Sequence, residues 1–368
     1  MEKIKNFYKG KKVLVTGATG FKGSWLCSWL LQLGANVYGS GYSPNQNKNL
    51  FYKLKLQKRI KLDIFDIRDK KKLEKKIINF KPKFIFHLAA QSLVAVSYKE
   101  PTFTWQTNVI GTLNILETVR KLKNSCNVII ITSDKCYFNK EIHYGYKETD
   151  VLGGKDPYSG SKASAEILVK SFNNSFFSEA NKNIRIATAR AGNVIGGGDW
   201  AKYRIIPDCV RSWSKNNQAK LRNPNATRPW QHVLEAVGGY LCLAINLSSN
   251  KKIHGESFNF GPSLQKEYSV LDLVTSMSNH WKDVSWKKIS KPRKKFFESG
   301  LLRLNCDKAK KILKWKSILK FEESMELVST WYRSFYSDPG NVNNITKDQI
   351  KIFQNLAFKR GLKWAKMY

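Results

Sequence analysis

The sequence is short of acid: 28 Asp and Glu stand against 64 Lys and Arg, a formal net charge of +36 over 368 residues. Such a field concentrates nucleic acid, anionic lipid surfaces and polyphosphate ligands alike. The lysines are spread along the whole chain, as at Lys70 to Lys72, Lys251, Lys252, Lys287 and Lys288. With no basic arm and no basic repeat interleaved with aromatics, the excess reads as a basic solvated surface, and no nucleic-acid partner is expected. Metal-binding patterns are missing too. The six cysteines form no C-x-x-C and the five histidines no H-E-x-x-H, so no metal site is expected and reduced thiols in a cytoplasm fit best. No apolar run reaches the roughly 18 residues of a membrane span, and Met1 to Lys12 is polar and basic, unlike a signal segment. A soluble, cytoplasmic protein is the expectation.

What is present is an alternation of strands and helices. Val13 to Val15 is a short apolar strand, Gly17 to Gly23 a glycine-rich turn, Ser24 to Leu33 a helix and Asn36 to Tyr38 a second strand, together a βαβ opening. Strands follow at Ile60 to Ile64, Phe84 to Leu88, Val128 to Ile131 and Ile184 to Ala189. Helices are expected at Lys70 to Asn79, Pro101 to Leu122 and Tyr158 to about Phe172. This predicts a doubly wound parallel Rossmann sheet with a smaller C-terminal α/β lobe. The texture changes to Gly, Pro and Trp beyond Gly192, so the lobe boundary is placed there. Residues 1–192 are expected to form the dinucleotide lobe, with 229–262 returning to it, and 193–368 to form the second lobe and tail.

Gly17-Ala18-Thr19-Gly20-Phe21-Lys22-Gly23 sits between a strand and a helix. Glycines there let the backbone turn tightly and approach a pyrophosphate, whose charge the helix N-terminus meets. A bare glycine triplet is an ordinary turn; inside a βαβ unit it points to a dinucleotide. The second strand ends Tyr38-Gly39-Ser40-Gly41-Tyr42, with neither an Asp for ribose hydroxyls nor an adjacent Arg for a 2′-phosphate, and NAD is the expected cofactor. Asp66 and Ile67 are placed for an adenine edge, although an Asp closing a strand is often only a turn former.

Tyr158 and Lys162, spaced i and i+4, share one helix face. A cation beside a phenol favours the phenolate, lowering a pKa of about 10 toward usefulness as a base. Ser133, at the end of a central strand, would lie in the same crevice and share a substrate oxygen with Tyr158. These three suffice for hydride transfer. Asp134 and Lys135 follow directly, an acid and a potential base that a simple dehydrogenase would not need; in isolation they read as a surface ion pair.

Four strings carry a resemblance to extended short-chain dehydrogenases, and within them to the CDP-glucose 4,6-dehydratases. They are Thr132-Ser133-Asp134-Lys135-Cys136-Tyr137, Asp156-Pro157-Tyr158-Ser159-Gly160-Ser161-Lys162, Ala189-Arg190-Ala191-Gly192-Asn193 through Gly198-Asp199-Trp200, and Arg228-Pro229-Trp230-Gln231-His232. With His87-Leu88-Ala89-Ala90-Gln91 and the Gly300-Leu301-Leu302 region, the likeness spans nearly the whole chain. It implies NAD held by Gly17, Thr19, Gly20, Phe21, Lys22, Gly23, Asp66, Ile67, Leu88, Ala89 and Ala90, with Tyr158 and Lys162. It implies a nucleotide-linked hexose oxidised at C4 by Tyr158 with Ser133 and Lys162. The hexose would then lose its C5 proton to Lys135 and its 6-hydroxyl with help from Asp134, and take the hydride back at C6.

An ammonium with a pKa of about 10.4 is no base at neutrality, so Lys135 would need desolvation or a neighbouring cation. Sister dehydratases of dTDP-glucose have Asp-Glu at Asp134-Lys135, which favours the CDP-sugar branch. Candidates for the nucleotide sugar are Gln91, Asn193, Arg190, Arg204, Arg211, Arg228 and His232, the arginines suiting a diphosphate through forked hydrogen bonds. The family reads Gln-Pro-Leu-Val-Arg where this chain has Gln91-Ser92-Leu93-Val94-Ala95, a missing cation that bears on hexose choice. The resemblance also implies a homodimer through a four-helix bundle of 101–122 and 158–175. A related epimerase or dehydratase, or a non-catalytic basic NAD-binding protein, are the rival readings.

Overall fold

A computed structural model describes residues 4–42, 49–142, 144–177, 183–263, 266–281, 284–289 and 301–365; Gly300 therefore lies outside the described residues. The chain opens with α1 (Ile4–Tyr8), β1 (Lys12–Thr16), α2 (Phe21–Gln32), β2 (Asn36–Gly41), α3 (Leu50–Lys53) and β3 (Lys61–Ile64). Next come α4 (Lys70–Phe80), β4 (Phe84–His87), α5 (Val94–Lys99), α6 (Pro101–Trp105), α7 (Gly111–Arg120), β5 (Cys126–Ile131), α8 (Pro157–Phe172) and β6 (Ile184–Ala191). The remainder alternates short strands and longer helices: β7 (Val194–Ile195), α9 (Ile205–Trp213), β8 (Ala219–Leu221), β9 (Thr227–Arg228), β10 (Gln231–His232), α10 (Val233–Ser249), β11 (Ser257–Phe260), β12 (Tyr268–Ser269), α11 (Val270–Ser278), β13 (Trp286–Lys288), α12 (Phe321–Ser337) and α13 (Val342–Lys359).

Seven strands form one sheet in the order β11-β6-β5-β4-β1-β2-β3, and every pairing in it is parallel. This is the doubly wound Rossmann architecture expected from the alternation. The chain reverses direction across the sheet between β1 and β4, so a crevice opens at their carboxyl ends. Central strands read as unbroken apolar runs because both faces are covered: β5 and β4 are buried at every position.

One face is covered by α2 and α10. Helix α10 is apolar nearly all round, as a helix enclosed on all sides must be. Outside it lies α13, whose Phe353 meets Trp29 of α2 edge-on at 5.7 Å. The C-terminal tail, illegible in the sequence, is thus an outer layer over the dinucleotide lobe. The expected helix 101–122 forms with one π turn in it, Gln106–Ile110, which joins α6 to α7. Such insertions turn side chains out of helical register, and here Asn108 reaches the Gln91 backbone and the Ser161 hydroxyl.

Candidate active site

The glycine-rich turn lies where the sheet's winding reverses. Gly17 has φ +69°, and a Cβ on it would meet the Ala89 amide nitrogen at 2.7 Å, so only glycine lets β1 and the loop after β4 approach this closely. Thr19, Gly20, Phe21, Lys22 and Gly23 line a cavity of about 960 Å³, together with Leu88, Ala89 and Ala90 from the facing loop. At one end Tyr42, Asp66, Ile67 and Phe103 close it. Asp66 is gripped there by Arg68, whose Nη2 donates at 2.6 Å, and that contact, partly opposed by burial, holds the carboxyl below its ordinary range. The cradle fits a dinucleotide: backbone N–H groups at the head of α2, and no Cβ in the way.

At the other end stand the acid–base groups. Asp156 caps α8 by accepting from Ser159 N at 3.0 Å, with Pro157 at the first helical position, which fixes the helix start and so the direction of Tyr158. Ser133 caps the short turn after β5, accepting from Lys135 N at 3.3 Å. Its hydroxyl donates to Asp134 Oδ1 at 2.9 Å, while Asn193 Nδ2 donates to Asp134 Oδ2 at 3.1 Å. Gly192 leaves room for this carboxyl, because a Cβ there would lie 1.9 Å from it. Lys135 is half-buried on the cavity wall.

The electrostatics differ from the expectation at Tyr158. Burial raises the phenol to about 12; the Ser133 hydrogen bond counters this, Asp134 reinforces it and Arg204 offsets it in part. Lys162 gives its Nζ proton to the Ile131 carbonyl at 3.3 Å, and burial outweighs the neighbouring Glu166 to bring the amine down to about 8. Without cofactor the phenol is therefore held protonated. The reason is desolvation, which a sequence motif does not display.

Several arginines that look equivalent in the sequence part company. Arg204 lines the cavity and is fixed by Asp199 at 2.7 Å, as part of a loop whose Asp199 carbonyl accepts from Tyr332. Arg228 and Asn193 also line it. Arg190 does not: it is buried beneath the site, its Nη2 donating to Glu166 at 2.9 Å and its Nη1 to the Tyr137 hydroxyl at 2.7 Å. Arg211 does not itself line the cavity but pairs with Asp208, a lining residue one turn earlier on α9, and donates to the Trp200 carbonyl. His232 is fully buried at the start of α10 with its ring against Trp25, and burial lowers it to about 3. Arg190 and His232 are thus enclosed by protein, whereas Arg211, about a third exposed at 35%, stands one residue behind the lining.

Gln91 faces the cavity but spends its amide on α6 and its own loop, donating to Thr104 at 2.9 Å and accepting from Leu93 N at 2.6 Å. Sequence reasoning missed Lys202, Lys220, Arg222 and Trp230 on the far wall. Only Trp230 lay inside a recognisable string.

A parallel dinucleotide sheet, a Ser-Tyr-Lys set and an acid at one strand end define the class of extended short-chain dehydrogenases with a large second pocket wall. Within that class, the family model described as GDP-mannose 4,6 dehydratase matches residues 14–328, and the chain belongs to this family. The CDP-glucose 4,6-dehydratase of Salmonella typhimurium is 44% identical over 335 residues, covering 90% of this chain and 93% of that protein. CDP-paratose 2-epimerase of Salmonella typhi is 27% identical over 73% of this chain and 84% of its own length. Among solved structures, an epimerase of Methanothermobacter thermautotrophicus superposes with a TM-score of 0.77 at 23% identity over 91% of this chain and 96% of its own, which establishes the fold. A dTDP-glucose 4,6-dehydratase of Bacillus anthracis solved with NAD gives 0.70 at 21% identity over 88% of this chain and 97% of its own.

Proposed function

We propose that the protein is an NAD-dependent lyase that converts CDP-D-glucose to CDP-4-keto-6-deoxy-D-glucose. The observation that carries this is Asp134, a carboxyl held between Ser133 and Asn193 beside Tyr158 and followed by Lys135. The same reading is supported by the CDP-glucose 4,6-dehydratase to which the chain is 44% identical. NAD would rest on Gly17, Gly20 and Gly23, with its adenine by Asp66 and Ile67. When bound it supplies the hydride acceptor, and its positive ring offers the phenol the countercharge that burial denies it.

Tyr158, hydrogen-bonded to Ser133, then takes the proton of the 4-hydroxyl as the C4 hydride departs. The resulting ketone acidifies the C5 hydrogen, and Lys135 removes it. Asp134 gives a proton to the leaving 6-hydroxyl, which departs as water; the hydride would then return to C6 while Lys135 gives its proton back to C5, so that bound NAD would end as it began. Arg204, Arg228 and Asn193 face the diphosphate and sugar in this reading. The lobes divide near residue 192, with 229–262 belonging to the first, supported by β11 joining the sheet and α10 covering it.

A homodimer through 101–122 and 158–175 is supported by the apolar side chains these segments leave exposed: Trp105, Ile110 and Ile167. A cytoplasmic enzyme in deoxysugar synthesis fits six unpaired cysteines, and among the described residues no helix is long and apolar enough to cross a membrane. The experiment is incubation of purified protein and NAD with CDP-glucose, and in parallel with dTDP-, UDP- and GDP-hexoses, following the base-sensitive absorbance of a 4-keto-6-deoxy sugar. Turnover of CDP-glucose above the others is expected; turnover of none would refute the reading.

A further inference from the structure

Lys22 belongs to the glycine-rich turn, yet its side chain does not stay with the phosphate-binding backbone. Its Nζ reaches inward to the Tyr240 hydroxyl at 3.5 Å and stands 6.0 Å from that ring's centroid. Tyr240 is fully buried in α10 and packs edge-on against Phe260. The ammonium thereby stands within electrostatic reach of Lys162, Arg204 and Asp134, the groups of the catalytic end. We propose that Lys22 is a redox-biasing residue: its positive charge opposes the charge of the oxidised nicotinamide, favours the reduced form in the site, and so drives the first hydride off the sugar. The inference rests on the cofactor reading above and not on which nucleotide sugar is used.

The placement follows from the groups around it. Tyr158 takes a proton from the same carbinol that gives up the hydride, so the acceptor ring has to sit beside the substrate carbon next to Tyr158. Tyr240, the seat of Lys22, lies close enough to Tyr158 and Asp134 that both add to the effect of burial on its own hydroxyl. The charged and titratable groups facing Lys22 are Lys162 from α8, Arg204 before α9, Asp134 after β5 and Tyr240 from α10. Of these, Arg204 is paired with Asp199 yet still acts on Lys22, and Asp134 is held by Ser133 and Asn193.

Burial first, then Lys162 and Arg204, draw the Lys22 amine down to about 7, while Asp134 pulls the other way. The bias is thus present when Lys22 is protonated and lost as pH rises through about 7. A neutral side chain accepts the oxidised ring without opposition; a protonated one favours the uncharged reduced ring. One unit charge within roughly 10 Å at an effective dielectric constant of about 20 shifts such a preference by on the order of ten-fold or more.

The test is equilibrium binding of NAD⁺ and of NADH to the full-length protein without substrate, between pH 6 and 9, for the unchanged chain, Lys22→Met and Lys22→Arg. In the unchanged chain the ratio of the NAD⁺ to the NADH dissociation constant should rise on the order of ten-fold as pH falls through 7. Lys22→Met should give a low ratio without that pH slope. Lys22→Arg, charged throughout, should give a high ratio without the slope. A slope through pH 7, below the range of Lys162 at about 8, retained in either variant, or Arg behaving like Met, overturns the proposal. Absence of binding by either cofactor form overturns the cofactor reading with it, whereas failure to turn over CDP-glucose leaves this result intact.

Discussion

Helix α8 presents Tyr158, Lys162 and Glu166 at successive turns of one face, and the two ends of that row behave differently. Tyr158 opens on the cavity with Ser133 as neighbour, and Lys162 stands between the two regimes. Glu166, two turns further on, is closed in completely. It accepts from Thr132 at 2.5 Å, Thr188 at 2.8 Å, Arg190 at 2.9 Å and Ser257 at 3.0 Å. Burial opposes its charge, but Arg190 and the hydroxyls outweigh that and hold the carboxyl below the ordinary range. The upper groups keep hydrogen-bonding capacity for a ligand; the lower network has spent its capacity on tying β5, β6 and β11 to α8. A site that must exchange protons is thus mounted on polar groups that must not.

The largest losses are expected at the cavity end of this row. Lys135→Ala is expected to abolish product formation by roughly 10³-fold or more, the scale of a lost general base, while cofactor binding persists. Full turnover by that variant would remove Lys135 from the C5 step. Just below, Gly192→Ala should displace the Asp134 carboxyl without unfolding the protein, since its Cβ would fall 1.9 Å from it. A misplacement of that size costs on the order of 10²-fold in kcat; normal kcat in a folded variant would mean that the Asp134 position is unimportant.

At the lower end the expected effects are on stability. Arg190→Met leaves Glu166 buried and uncompensated, and chemical denaturation should register a loss of about 3–5 kcal/mol. The double variant with Glu166→Gln should recover part of it; a loss equal to the sum of the two single losses would show the pair to be uncoupled. The depressed Glu166 carboxyl contributes stability that is present at neutral pH and lost as pH falls through its folded pKa.

Glu235 has the opposite sign. Buried and accepting from Ile318 N and Leu319 N, both at 2.6 Å, it is raised by burial to about 7 despite those bonds. The folded state therefore prefers it protonated, and stability should decline as pH rises from 4.5, its ordinary value, to about 7. Glu235→Gln keeps an acceptor for both amides and should flatten Tm between pH 5 and 8. The smallest effect is expected from Arg211→Ala, off the cavity, with KM within about two-fold of the unchanged chain, as for surface positions generally. Arg204→Ala should raise KM well beyond that, and equal behaviour of the two would erase the distinction between them.

Much of the frame was legible from local pattern. The βαβ opening, the capping Asp156 with Pro157 and the i, i+4 spacing of Tyr158 and Lys162 each depend on neighbours in sequence, so reading them needs no folding. The π turn at Gln106–Ile110 was not legible, because it is imposed by the contact of Asn108 with Gln91 and Ser161 from other elements. Nor was the tail, since α13 acquires a place only once α2 and α10 offer Trp29 and its neighbours as a surface.

By itself the sequence determined the class of fold, the glycine cradle and the string Thr132-Ser133-Asp134-Lys135 that separates a dehydratase from a simple dehydrogenase. Tertiary structure decided what each charge is for. Arg190, Arg204 and Arg211 are one residue type with one intrinsic pKa. Only burial and long-range partners divided them into a structural pair, a cavity cation and a helix-surface contact. The same desolvation that sequence cannot display turned Tyr158 upward, brought Lys22 to about 7 and placed both on one cavity.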